Sequence, residues 1–131
     1  MSAAKLSGRT RSDRFRELVE LFIRAETSDR VELRTRPRFT KLSQVFGAVE
    51  VAEDGPVQAS DLLTNLWAVN TRAEGLWDAS GALDEAERDA AHDRRKMWAA
   101  VNYRKGRPPA EAYVVMPLLV FARLLGNEAN R

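Results

Sequence analysis

The sequence predicts an all-α fold, a compact bundle of about five helices with one short strand near residues 31–35. Three observations predict it. Apolar residues recur at the i, i+3, i+4, i+7 spacing of a helix buried on one face. Capping residues and Gly or Pro stops bracket those segments. One segment also carries acid in its first turns and base in its later ones, as the helix macrodipole favours.

The first helix is expected over Asp13–Ala25, with Ser12 as N-cap and Phe15, Leu18, Val19 and Phe22 on the buried face. In the connection Thr27–Pro37, Val31, Leu33 and Thr35 alternate with charged residues, a short-strand pattern that Pro37 ends. A second helix over Thr40–Glu53 buries Leu42, Val45, Phe46 and Val49 and stops at Asp54-Gly55-Pro56. The third, Ser60–Asp78, is apolar over two stripes, Leu62/Leu66/Val69/Ala73/Leu76 and Leu63/Trp67/Trp77 with Asn70 between, which puts it at the centre or against a partner. The fourth, Asp84–Arg104, carries the acid-to-base polarity. The fifth, Pro109–Leu125, begins at a proline, stops at Gly126-Asn127 and should kink at Pro117. Residues 1–12 read as a flexible basic tail and residues 13–131 as a single helical domain.

Charge is sorted along the chain. Residues 1–50 hold eleven Lys/Arg against seven Asp/Glu, residues 51–93 two against ten, and residues 94–131 eight against two, so the net +2 conceals basic, acidic and basic blocks. Such blocks set partners and fields more than folds. The absence of cysteine excludes disulfides, thiolate nucleophiles and Cys-type zinc sites. Met1–Thr10 has no apolar core of a signal peptide, and the longest apolar stretch, Ala112–Ala122, is too short to span a bilayer. A cytoplasmic protein is expected.

Catalytic signals are thin. Asp89-x-x-His92 has the spacing of two ligands on one helix face, but His92 is the sole histidine and no second such pair completes a carboxylate-bridged site. Gly-x-Ser-x-Gly and Gly-rich phosphate loops are absent. Glu50, Glu53, Asp54 and Asp61 could build a two-carboxylate hydrolase, though acids near a turn are usually just exposed. No cofactor, metal or catalytic residue is expected.

The basic clusters carry the functional reading. Arg9, Arg11, Arg14 and Arg16 lead into the first helix. Arg34, Arg36, Arg38 and Lys41 flank Pro37, and in an extended chain the three arginines form a ladder suited to successive phosphates. Arg94, Arg95 and Lys96 join Arg104, Lys105 and Arg107, with Trp98 and Tyr103 interleaved as base-stacking rings. The nucleic-acid-binding set is thus Arg34, Arg36, Arg38, Lys41, Arg94, Arg95, Tyr103, Arg104, Lys105 and Arg107. Leu42–Gly47 superficially matches a recognition helix, but no helix precedes it closely enough to complete a helix-turn-helix.

Thr40-x-Leu42-Ser43-Gln44, with Tyr103-x-x-Gly106-Arg107 after a helix, resembles the small helical subunits of CRISPR RNA-guided effector complexes. The resemblance implies a non-catalytic subunit that lines a nucleic-acid groove and packs against copies of itself. The leading expectation is accordingly a non-catalytic helical subunit of a nucleic-acid-handling assembly. It would bind RNA or single-stranded DNA through backbone contacts, meet protein subunits through apolar helix faces and self-associate, with no membrane partner. The alternatives are a phage- or plasmid-type inhibitor docking through acidic residues 53–93, and a small enzyme or metal-binding bundle.

Overall fold

The computed structural model describes residues 9–36, 58–73 and 78–129. Over these residues the chain forms α1 (Arg9–Glu26), β1 (Arg34–Thr35), β2 (Leu62–Leu63), β3 (Trp67–Arg72), α2 (Ala79–His92), β4 (Met97–Asn102), a 3-10 turn (Pro109–Glu111), β5 (Tyr113–Val115) and α3 (Leu118–Ala129). The strands make one mixed sheet in chain order. Steps β1–β2, β2–β3 and β4–β5 are antiparallel, and β3–β4 is parallel. A parallel step needs a crossover, and α2 supplies it. The expected all-α bundle is therefore corrected to an α/β fold.

The correction has local causes. The expected third helix is β2 and β3: burial along Trp67–Arg72 alternates, with Ala68 and Asn70 the buried positions. Its residues look apolar all round because the sheet is covered on both faces, and periodicity cannot separate that from a buried helix. The expected fourth helix stops at His92. Arg94 has φ 60°, in the left-handed region where a right-handed helix cannot propagate. The Ala-rich run that follows is β4, buried at Met97, Ala99, Ala100, Val101 and Asn102. In the expected fifth helix only the ends are helical. Pro117 does not kink α3; its carbonyl accepts the N–H of Phe121 at 3.0 Å and so opens the helix.

The first expected helix is present, and it reaches back to Arg9, so residues 9–12 are helical. Its buried face is Phe15 and Val19 with Ile23 partly buried, whereas Leu18 and Phe22 are exposed. The short strand expected near 31–35 is β1, Arg34–Thr35. The second expected helix, 40–53, lies outside the described residues.

Two cores flank the sheet. On one face Phe15 and Val19 of α1 pack with Leu33, Leu62, Ala73 and Val101, and the Tyr103 ring meets Phe15 edge-on at 5.3 Å. On the other face Ala90 of α2 packs with Leu63, Ala68 and Trp98. Ala82, Ala86 and Ala90 recur every four residues and are at most 2% exposed, so α2 presents a smooth stripe that sits close on the small residues of β3 and β4. The result is a helix–sheet–helix sandwich.

Candidate functional site

β1 and β2 are two residues long, whereas β3 and β4 are six. Beside the carboxyl end of β3 the short strands leave room for both helices to reach the same space. A polar cleft of about 310 Å³ lies there. It is lined by Ser12, Asp13 and Arg16 of α1, Arg36 and Asp61 beside β1 and β2, Asn70, Thr71 and Arg72 of β3, and Glu85 and Asp89 of α2. In open α/β sheets the crevice at the carboxyl ends of strands is where ligands commonly bind.

The cleft neutralises itself. Asp61 pairs with Arg36 at 2.8 Å, and its second oxygen accepts the backbone N–H of Thr71 at 2.8 Å and the Thr71 hydroxyl at 3.2 Å. Glu85 pairs with Arg72. Asp89 accepts from the Asn70 amide at 2.9 Å, and the Asn70 oxygen accepts the backbone N–H of Asp61 at 3.1 Å. Burial pushes the Asp89 carboxyl above its ordinary value; Glu85 and Asp61 add to the rise, while the Asn70 bond and Arg36 oppose it. Arg16 is 6% exposed and 3.7 Å from Asp13, and its Nε has no hydrogen-bond partner among the described residues. Four carboxylates face three guanidiniums, a formal −1.

Chain 58–61 is held in place from outside the cleft. The Asp93 carboxylate, one residue past α2, accepts the N–H of Ala59 at 3.0 Å and of Ser60 at 2.7 Å. Gln58 donates to the carbonyls of Arg34 at 3.1 Å and Ser60 at 2.8 Å, tying β1 to this segment.

The structure divides the expected binding residues. Arg36 lines the cleft and Arg34 is exposed on β1; Arg38 and Lys41 lie outside the described residues. Tyr103 joins the same end of the sheet, because its N–H donates to the Arg72 carbonyl at 2.9 Å. The turn that follows carries Arg104, Lys105 and Arg107. Gly106 has φ 76°, as a turn with a left-handed third residue requires, and Arg107 N–H closes onto the Arg104 carbonyl at 2.9 Å. Arg104 lies over the Tyr113 ring at 4.4 Å, Arg107 pairs with Glu111 at 2.7 Å, and Lys105 is exposed.

Arg94 and Arg95 sit at the opposite end of β4, roughly 20 Å away at strand rise. Arg95 is spent on structure, donating to the carbonyls of Thr64 at 2.8 Å and Asp93 at 2.6 Å, while Arg94 is exposed. Trp98 packs on Ala90 and does not stand among the cations as a stacking ring. The Tyr103–Arg107 turn follows a strand, so the helix expected in the resemblance to CRISPR effector subunits is absent there; Thr40–Gln44 lies outside the described residues.

Sequence reasoning did not find Arg16, Arg72, Asp13, Glu85 or Asp89 as cleft residues. The available signal was Asn70 and Arg72, polar groups inside an otherwise apolar run, which a strand leading to a polar site explains better than a central helix. No group of three or more His, Asp or Glu among the described residues could hold a metal ion, and none of their helices is long and apolar enough to cross a membrane. No family model, curated protein or solved structure matches the chain.

Proposed function

We propose that this chain is a non-catalytic nucleic-acid-binding subunit that carries a phosphate backbone across the rim of the sheet's cleft end. The observation that carries the reading is the Arg72–Tyr103 backbone bond, which brings the basic turn 103–107 beside the cleft arginines although Arg36 precedes it by some 70 residues in sequence. Lys105 faces solvent, and the exposed Arg107–Glu111 pair is worth at most about 1 kcal/mol, so a phosphate can replace Glu111.

The interior of the cleft suits a structural role better than chemistry. Asp61 and Glu85 are held by arginines and Asp89 by an amide, so a divalent ion would have to break those bonds before it could act. The inhibitor alternative draws less support. Of the acidic block, Asp61, Glu85, Asp89 and Asp93 spend their charge inside the chain, which leaves Asp84 and Glu87 as the exposed carboxylates of α2.

The test is fluorescence anisotropy with single- and double-stranded RNA and DNA over a salt series. Binding should weaken steeply with salt, and Arg104→Ala/Lys105→Ala/Arg107→Ala should lower the slope of log K against log salt by about two to three units. Absence of binding at low salt, or a triple variant with the wild-type slope, would overturn the reading. Cleavage of the same probes with magnesium present would overturn its non-catalytic part.

A further inference from the structure

The other end of the chain presents a surface that the cleft does not use. β5 is an edge strand of the sheet, with Tyr113 50% and Val114 56% exposed. After Met116 and Pro117 α3 begins, and it exposes Leu118 at 79%, Leu119 at 54%, Phe121 at 44% and Leu125 at 48%. Val120 alone of α3 is buried. Leu118, Phe121 and Leu125 share one helix face, and summed over whole residues the large apolar positions of β5 and α3 expose about 700 Å², of the order of the ~800 Å² per partner that a specific interface buries.

We infer that this surface is a homodimer interface, formed by a second copy through β5 and α3 about a twofold axis. A second copy fits on three counts. An antiparallel strand pair and an antiparallel helix pair are both self-complementary, so edge and helix can be satisfied by one rotation. The α3 part of the patch brings little charge to meet itself: its charged residues are Arg123 and Glu128, Arg123 is turned to the Lys96 carbonyl, to which it donates at 2.6 Å, and the cation beside β5 is Arg104, over the Tyr113 ring. The edge is guarded by its shortness alone, since Tyr113-Val114-Val115 contains no charge, proline or bulge. Pairing β5 with its copy would join two five-stranded sheets into one and cover both α3 helices, with the cleft ends left free.

Sedimentation velocity on the whole chain tests this without any nucleic acid, so its failure is separate from failure of the binding proposal. A species of twice 14.7 kDa is expected at micromolar concentration. Phe121→Glu/Leu125→Glu should yield monomer with an unchanged circular dichroism spectrum. Val114→Lys, which leaves α3 intact, should weaken the dimer at least tenfold. A wild-type chain that stays monomeric at 100 µM overturns the inference, as does a dimer that both variants retain.

Discussion

Asp93 anchors the segment that carries Asp61 into the cleft, although it does not line the cleft itself. Its carboxylate accepts two backbone N–H groups, from Ala59 and Ser60, immediately before Asp61 enters the site. In Asp93→Ala both donors lose their partner, and Ser60 is fully buried, so water cannot replace it there without opening the fold. A hydrogen bond to a charged acceptor contributes about 1.5–3 kcal/mol, and two bonds on one carboxylate do not add fully, so a loss of about 2–4 kcal/mol is expected. One effect opposes it: a negative charge at the C-terminus of α2 is unfavourable, and its removal returns about 0.3–1 kcal/mol. The hydrogen bonds win, leaving a net cost of about 1.5–3.5 kcal/mol. A chain of this size unfolds with an entropy of about 0.28 kcal/mol/K, so Tm should fall by roughly 5–12 °C. Asp93→Asn keeps one acceptor oxygen and relieves the same charge, and it should recover about half the loss. Thermal and urea unfolding of the three proteins settles the matter. An alanine variant within about 0.5 kcal/mol of wild type, or an asparagine variant no better than alanine, would refute the argument.

Two further outcomes follow from the α2 face. Asp89 has a folded pKa raised above its ordinary 3.8, so the folded chain holds that proton more tightly than the unfolded chain does, and ionised Asp89 costs stability at neutral pH. Asp89→Asn, which still accepts from Asn70, should be more stable than wild type at pH 7; the gap should close as pH falls through the raised value towards 3.8, and urea melts across that range will show a constant gap if the reasoning is wrong. Ala86, 1% exposed at the middle of the small-residue stripe, has no room for a larger side chain, so Ala86→Leu should cost about 1–3 kcal/mol in the same melts, while Glu87→Leu on the exposed face should cost little.

How far the sequence carries the fold differs by element. α1 was legible because its apolar residues keep a helical period between a charged face and a turn. Residues Ser28 and Asp29, both with positive φ, end it where the pattern stops. β3 and β4 were not legible as strands. Met97–Asn102 is buried along nearly its whole length, and a strand buried on both faces shows no alternation to read; along Trp67–Arg72 burial alternates but residue type does not follow it, since Asn70 is buried and Val69 is not. Alanine made the error worse: Ala99 and Ala100 favour a helix by propensity, yet in β4 they point to opposite faces, and Ala100, on the face of Trp98, is the small residue turned to α2. The break at Arg94 carries no Gly or Pro, so a left-handed arginine was invisible in composition. The site was half legible. Arg36 and the 103–107 turn stood out as clusters, whereas Arg72 is an isolated cation whose meaning comes from the strand end it occupies, and Arg16 is the one member of its cluster that the helix turns inward to the cleft.

The acidic block now has a physical account that the sequence reading split between the macrodipole and a docking face. The macrodipole accounts for little of it, since α2 starts at Ala79 with Asp78 at its N-cap but without acid in its first turn. Its carboxylates instead answer specific donors: Glu85 answers Arg72, Asp89 answers Asn70, and Asp93 answers two backbone N–H groups. Those charges are balanced within a few ångströms and contribute little to the field felt one Debye length away, about 8 Å in physiological salt. On the turn, the charge that projects beyond that distance is the exposed Lys105, joined by Arg107 once its exposed pair with Glu111 opens. The cleft, at formal −1, repels a phosphate from its floor while the rim attracts one. A strand drawn to this end would therefore rest on the rim and leave the internal pairs unbroken, which is why the cleft variants are expected to change stability and the turn variants to change binding.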